Sequence, residues 1–565
     1  MESPVSPDRR ALPPLWALAL LAAVALLVFL PGNDVMPLLD RDEPRFAQAT
    51  REMIQQGDWI IPYFNHEFRF DKPILIYWMM RASYAAFGVN EFAARLPSVL
   101  SAILLGWLVY LMGRKWFSPQ AGFFAAFGLL TCVQLFIHAR CAVADMPMLA
   151  MVALSHFAAW ELLHTDDAPG RRRWFAMLYG SLGLGFLAKG PVALVVPLLT
   201  LLFFRFVFWR KPAPWGRLKM APGLLISMAL VGAWGIPALI RTAGEFWNVG
   251  MNSHVLKRGW SSFDGHGAFV FYYLLTAFFS LYPWIAFAGR GACLLRRRYD
   301  EKNAFLLSWL AGTYLLFSLY MTKLPHYVLP AFPAFFLILG QTVNNDMPWP
   351  RWTRIWFNTT LFALPLFILL AVAVLFSAPV AGPWASLRWA AAGLVLVALA
   401  LTALALAWRS PQPSPWLVGI PLLSVGFAAA LLGRGLRPVT PAVQLQSVFT
   451  QMPAETRFAF HRFREPSLVF YSNRRWETLN TFDNVQAFLD EPGPCMLVTL
   501  QQETRLDQFL SSALQHMTGR KAKSLGRDFS SELAALNLQG AKIRTIEGIN
   551  SARASGVTLR VFTRD

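Results

Sequence analysis

The sequence predicts an α-helical polytopic membrane protein of about 13 transmembrane helices, with amphipathic surface helices in the first outer loop and a soluble C-terminal α/β domain. Three observations carry this. Of the 565 residues 56% are hydrophobic and only 15% charged, with mean hydropathy +0.42, against roughly 25% charged residues in soluble domains. Apolar windows of roughly 17–24 residues, long enough to cross the hydrocarbon, recur along the chain. At Gly433-Arg434 the composition turns polar, which divides the chain into a membrane domain, 1–433, and an extramembrane domain, 434–565.

The first window, 15–30, follows Arg9 and Arg10 and is not followed by a small-residue cleavage site, so it reads as a retained span. The others fall near 92–112, 119–137, 142–163, 174–189, 190–208, 221–241, 267–290, 304–320, 327–344, 355–377, 388–408 and 415–433. Alternate loops carry the basic residues: Arg114 and Lys115; Arg171 to Arg173; Arg210, Lys211, Arg217 and Lys219; Arg290, Arg296 to Arg298 and Lys302; Arg351 and Arg354. The positive-inside rule places these loops in the cytoplasm. The opposite loops, 31–91, 138–141, 188–191, 242–266, 321–326 and 378–387, and the tail 434–565 then face outward. The net charge of +19 is explained by topology and implies no nucleic-acid partner. Cys132, Cys141, Cys293 and Cys495 show no paired spacing, so neither a metal site nor a disulfide framework is expected.

The loop 31–91 has structure of its own. In EPRFAQATREMIQQG, Phe46, Ala49, Met53 and Ile54 recur at helical spacing, with Pro44 in the first turn and Gly57 at the stop, predicting an amphipathic helix on the membrane surface. A second begins at DKPILIYWMM, with Trp78, Met79 and Met80 able to sit in lipid. In the polar tail, SLVFYS and CMLVTL read as strands between helical stretches. The loop 242–266 is long and punctuated by Gly250, Gly259 and Gly265, as expected of a flexible segment that closes over a site.

Candidate functional residues gather in the outer loops, while the middles of the spans are nearly free of charge. Asp42 and Glu43 fit helix capping, although one cap needs one carboxylate and Asp40 lies there too. Lys72 opposes the dipole at a helix N-terminus, which suits a bound phosphate as well as a partner such as Asp71 or Glu67. Asp145 heads a span, as an N-cap or a functional acid. Lys189 fits either a site or a snorkelling lysine. His254, Lys257 and Arg258, and Lys323, His326 and Tyr327, lie in further outer segments. No metal is assigned to them. A transporter would concentrate ionisable groups near the midplane; a one-sided cluster suits an enzyme acting on lipid-borne phosphates.

Taken together, Asp42-Glu43 after the first span, the surface helix, DKP followed by YW, Asp145 heading a span, AKGP and TKLPHYVLPAFPA resemble the C-type, polyprenyl-phosphate-dependent membrane glycosyltransferases of the protein O-mannosyltransferase group. Within that group the likeness is to the bacterial transferases that modify lipid A with 4-amino-4-deoxy-L-arabinose. The resemblance spans the whole chain. It implies an inverting transfer without cofactor, at the periplasmic face of the inner membrane, from an undecaprenyl-phosphate-linked sugar donor to a lipid A (lipopolysaccharide) acceptor. Such a transfer lowers the negative charge of lipopolysaccharide and brings polymyxin resistance. A monomer is expected. By motif position the resemblance implies Asp42 and Asp145 as catalytic acids and Lys72 as the donor-phosphate ligand. Arg45, Lys257 and Arg258 are candidate helpers for the phosphate, and Glu43, Tyr63, Lys189, Lys323, His326 and Tyr327 candidate substrate contacts. Pro44 directly after the acidic pair departs from the pattern and leaves Glu43 without a clear role. The competing readings are a transferase with another sugar or a protein acceptor, and a lipid-linked-sugar flippase.

Overall fold

A computed structural model describes residues 13–250, 271–343, 349–377, 385–409, 415–505, 527–534, 536, 540–553 and 555–564. Most of it is helical. Among these residues six helices are long and apolar enough to cross a membrane: Glu91–Trp116, Asp145–His164, Trp215–Arg241, Arg351–Leu370, Leu387–Arg409 and Val418–Val439. Two bent pairs raise this to eight, Pro119–Leu130 with Val133–Ala139 (65°) and Tyr272–Ser280 with Trp284–Arg297 (111°). Shorter apolar helices, Pro14–Phe29, Val192–Phe208 and Pro325–Gly340, fill other expected windows. The window 267–290 is therefore not one straight span. Its helix ends just before Pro283, which has no N–H to continue the ladder.

Helices α1 (Pro14–Phe29), α4 (Glu91–Trp116) and α5 (Pro119–Leu130) share one core with the bent and later spans. Small residues let these helices close up: a Cβ on Gly122 would stand 2.4 Å from the Tyr110 carbonyl oxygen. Close backbone approach of this kind replaces the hydrophobic drive that lipid does not supply.

The first outer loop is built on two buried arginines. Arg140 donates to the carbonyls of Phe29 and Pro31 (2.9 and 2.7 Å), completing the end of α1. Arg95, 0% exposed, donates to the carbonyls of Asn33, Met36 and Pro37 and, by a two-pronged pair, to Glu43 (2.8 and 2.9 Å). The turn that precedes helix α2 (Asp42–Gln55) is thereby fixed from below.

Helix α2 buries Phe46, Ala49 and Met53, as its period predicts, and leaves Ile54 37% exposed. It does not simply lie on lipid. It is packed against helix α3 (Leu75–Phe87) and against the C-terminal helix Pro466–Ser472. Met80 on α3, expected in lipid, is fully buried and accepts from the Thr50 hydroxyl. Trp78 donates its indole N–H to the Trp59 carbonyl.

After the last apolar helix, which continues through Arg434 to Leu436, the chain forms a mixed sheet. Strands β1 (Arg457–His461), β2 (Trp476–Leu479) and β3 (Cys495–Arg505) are parallel; β4 (Lys542–Asn550) and β5 (Ser555–Arg564) add antiparallel in the order β2-β1-β3-β5-β4. CMLVTL lies in β3 as predicted. SLVFYS is instead helical: Pro466 opens the turn and Asn473, at φ 51°, closes it. A six-residue apolar run fits a buried helix turn as well as a strand, and the flanking residues decide.

The C-terminal domain grips the first outer loop through specific hydrogen bonds. Asp40 accepts from the backbone N–H and hydroxyl of Ser467 (2.9 and 2.7 Å), and the Asp40 N–H donates to the Ser551 hydroxyl. Leu38 N–H donates to the Tyr471 hydroxyl, Asn65 pairs with the backbone of Trp476, and Arg41 reaches Glu465 at 3.5 Å.

Candidate active site

Helix heads and tails on one side of the bundle bring ionisable side chains together. Asp145 is the first residue of α7 (Asp145–His164) and Lys189 the last of α8 (Ala168–Lys189). The Lys189 ammonium donates to the Asp145 carboxylate. His326, in the short helix Pro325–Ala331, places Nε2 4.0 Å from the same oxygen and lies against the His138 ring, centroids 4.7 Å apart. A narrow cleft of about 80 Å³ is lined by Lys72, Asp145, Lys189, His326 and Tyr327, with Met148, Val192 and Phe317 as apolar wall. The cations outnumber the carboxylates there, and the apolar wall continues into the helices. This combination suits a phosphate carried on a hydrocarbon chain.

Beside this cleft the first outer loop carries a second charged group. Asp42 is exposed and makes no hydrogen bond among the described residues; it faces the field of Arg45 and Arg69. Burial and the neighbouring Arg69 guanidinium lower the pKa of Arg45, while Asp71 and Asp42 oppose that. Arg69 pairs with Asp71 at 2.9 Å and donates to the Tyr77 hydroxyl, so Asp71, one of the partners considered for Lys72, is engaged by Arg69. Lys72 follows Asp71 directly and joins the two groups.

Several sequence-predicted residues stand elsewhere. Glu43 is buried, and its two oxygens accept from Arg95 and from the backbone N–H groups of Leu39 and Ala142 (2.9 and 2.7 Å). A carboxylate so fully engaged has no capacity for substrate, which corrects its place among the substrate contacts. Tyr63 gives its hydroxyl to Asp58 at 2.9 Å, and Lys323 is buried with its ammonium on the Tyr320 carbonyl. Neither lines the cleft. Lys257 and Arg258, with His254 and the loop from 251 onward, lie outside the described residues.

Other functional positions carry no local sequence signal. Tyr320 and Phe317 line the cleft from the end of the helix Glu301–Leu319 and the turn after it. Asp58 is clasped by both nitrogens of the Arg241 fork (2.9 and 2.7 Å). Burial alone would raise the Asp58 pKa, but Arg241, the Ile60 and Ile61 N–H groups and Tyr63 hold it below the usual carboxylate range. This clasp ties the first outer loop to the end of α10 (Met220–Arg241), where the 242–266 loop begins. The start of that loop reaches back toward Lys72: Phe246 meets Phe70 edge-on at 5.8 Å.

His138, Asp145 and His326 hold their ligand atoms within 4.8 Å of one another, as a metal site would require. The Lys189 ammonium already sits on the Asp145 carboxylate and supplies the positive charge a cation would bring. His138 directs Nδ1 to the Gln134 carbonyl and side chain, and Gln134 accepts from Ser280, so the histidines belong to a hydrogen-bonded wall.

Residues 71–234, the stretch holding Lys72, Asp145 and Lys189, match the family described as dolichyl-phosphate-mannose-protein mannosyltransferase. The chain is 28% identical over 370 residues to the undecaprenyl phosphate-alpha-4-amino-4-deoxy-L-arabinose arabinosyl transferase of Enterobacter sp. (strain 638), covering 63% of this chain and 65% of that protein. It is 31% identical over 339 residues to the second such transferase of Pseudomonas fluorescens (strain Pf0-1), covering 59% and 60%. The aligned region thus spans a little under two thirds of these curated relatives. Over nearly its whole length the chain shares the fold of ArnT from Cupriavidus metallidurans in the crystal structure bound to undecaprenyl phosphate. The TM-score is 0.74 at 21% identity, covering 96% of this chain and 97% of that one. In sequence and fold, then, the chain resembles the C-type, polyprenyl-phosphate-dependent membrane glycosyltransferases.

Proposed function

We propose that this chain is an integral membrane glycosyltransferase that moves 4-amino-4-deoxy-L-arabinose from undecaprenyl phosphate to a lipid A phosphate at the periplasmic face of the inner membrane. The observation that carries the reading is the cleft of Lys72, Asp145, Lys189, His326 and Tyr327 with an apolar wall beside it. The names of the similar transferases supply the sugar and the carrier. A topology of thirteen crossings, with the charged loops and the residues from 434 on outside, belongs to the same reading and rests on the basic residues of the opposite loops.

In this mechanism Lys72 holds the donor phosphate, with Arg45 as a helper and Lys257 and Arg258, outside the described residues, as further candidate cations. As the sugar–phosphate bond breaks, charge builds on the departing phosphate, and cations fixed in a partly dry site stabilise it without reorganisation. Lys189 and Asp145 act as a pair: Asp145 holds the lysine toward the cleft, and its carboxylate faces the cationic sugar or the charge developing at the anomeric carbon. A lipid A phosphate is already anionic and needs no general base. Asp42 therefore serves to orient Arg45 and the donor rather than to take a proton.

The test is lipid A isolated from a bacterial strain lacking its own aminoarabinose transferase and expressing this chain. Mass spectrometry should show aminoarabinose on the lipid A phosphates. Unmodified lipid A, despite folded protein and abundant donor, would refute the acceptor. Sugar found on a protein instead would move the chain to protein O-glycosylation.

A further inference from the structure

A second cleft, roomier than the one just described, lies elsewhere among the described residues. It has a volume of about 500 Å³ and lies in the seam between α2, the head of α4 and the C-terminal domain. Arg51 and Arg437 line it, together with Glu91, Asn90, Tyr471, Ile54 and Val89. Neither the sequence reading nor the proposed reaction uses it.

Its height in the membrane is set by two spans. Glu91 is the first residue of the span Glu91–Trp116, and Arg437 lies in the last turn of the span Val418–Val439. Both ends face the same side, at the level of lipid headgroups. The cations have unspent donors. Arg51 donates from Nη1 to the Phe470 carbonyl and to Gln48, and Arg437 from Nη1 to the Val35 carbonyl and Glu91. The Nε and Nη2 groups of both make no hydrogen bond among the described residues. Glu91, the carboxylate that lines the cleft, is shared between Arg437 and the Tyr471 hydroxyl, so the lining keeps a net positive charge. Burial lowers the pKa of Arg51, and the nearby Glu52 and Glu91 offset only part of that. Apolar side chains continue outward from the rim: Phe87 is 53% exposed, Val89 39% and Ile54 37%.

We infer that this seam cleft binds a membrane phospholipid by its phosphate, with the Arg51 and Arg437 guanidinium groups on the phosphate oxygens and the acyl chains laid over Phe87 and Val89. The ligand chemistry is a phosphate monoanion at the outer membrane interface. An anionic headgroup with no ammonium of its own fits the uncompensated charge best. The bound lipid joins the C-terminal domain to the membrane domain where an open cleft replaces direct contact.

The experiment is native mass spectrometry of the full chain released from micelles containing phosphatidylglycerol, phosphatidylcholine or neither, with inorganic phosphate as competitor. The wild type should retain one phosphatidylglycerol about tenfold better than phosphatidylcholine, a difference of about 1.4 kcal/mol, and millimolar phosphate should not displace it. Val89→Trp, which fills the rim and leaves the interdomain hydrogen bonds alone, should abolish that retention, as should Arg437→Gln. Equal retention by Val89→Trp and the wild type would overturn the assignment. Displacement by free phosphate would overturn the lipid as the source.

Discussion

Asp42 and Glu43 are neighbours with opposite fates, and the difference lies in what reaches them from far along the chain. Glu43 meets Arg95, 52 residues away, in a pair buried on both sides. Removing one member leaves the other charged and unpaired, so Glu43→Ala should cost about 3–5 kcal/mol of stability; a clear fall in the melting temperature of purified protein checks it. Asp42, exposed and without a hydrogen bond among the described residues, should matter little to stability. Asp42→Asn and Asp42→Ala should both lose about 10²–10³-fold in turnover, with wild-type activity showing no carboxylate-like rise with pH. A profile that rises through such a pKa would make Asp42 a base. The sequence singled out Asp42, Lys72 and Asp145 because charge beside a span calls for a reason. It could not separate Glu43 from Asp42, because Arg95 sits inside what reads as an apolar helix, and hydropathy gives a buried arginine no partner.

At the scale of elements, the first outer loop is held from two sides, by Arg95 and Arg140 below and by the C-terminal domain above. The upper grip has a pH dependence. Burial, and next the nearby Glu465, push the Asp40 pKa up to about 7, above its value in an undocked or unfolded chain. The docked state therefore prefers protonated Asp40: its contribution is fully present below about pH 4 and is lost as pH rises through about 7. Thermal stability should fall from pH 5 to pH 8 in the wild type, and Asp40→Asn should flatten that slope. An equal slope in the variant would detach Asp40 from the effect. Much of this level was legible. The helices α2 and α3 stand where period and punctuation put them. What escaped is tertiary: α2 covered by the C-terminal domain instead of lipid, SLVFYS as a helix, and the window 267–290 bent at 111°. Each depends on a neighbour distant in sequence.

Across the whole molecule, ionisable groups gather at the ends of an apolar bundle, and the cleft that holds Lys72, Asp145 and Lys189 draws on residues more than 200 positions apart. Residue types and their place beside apolar helices could be read from the sequence; their convergence could not. Because Lys189 already neutralises Asp145, chelators should leave turnover unchanged, and loss of activity in EDTA that is restored by a divalent cation would place a metal among His138, Asp145 and His326 instead. The most direct measurement is transfer by the purified chain in detergent, given labelled undecaprenyl-phosphate aminoarabinose and lipid A, with Lys72→Ala run beside the wild type. Labelled lipid A should form with the wild type and fall by at least about 100-fold with Lys72→Ala at unchanged melting temperature. No product from folded wild type, or equal product from the variant, would contradict a lysine-held phosphate donor as the centre of this protein's chemistry.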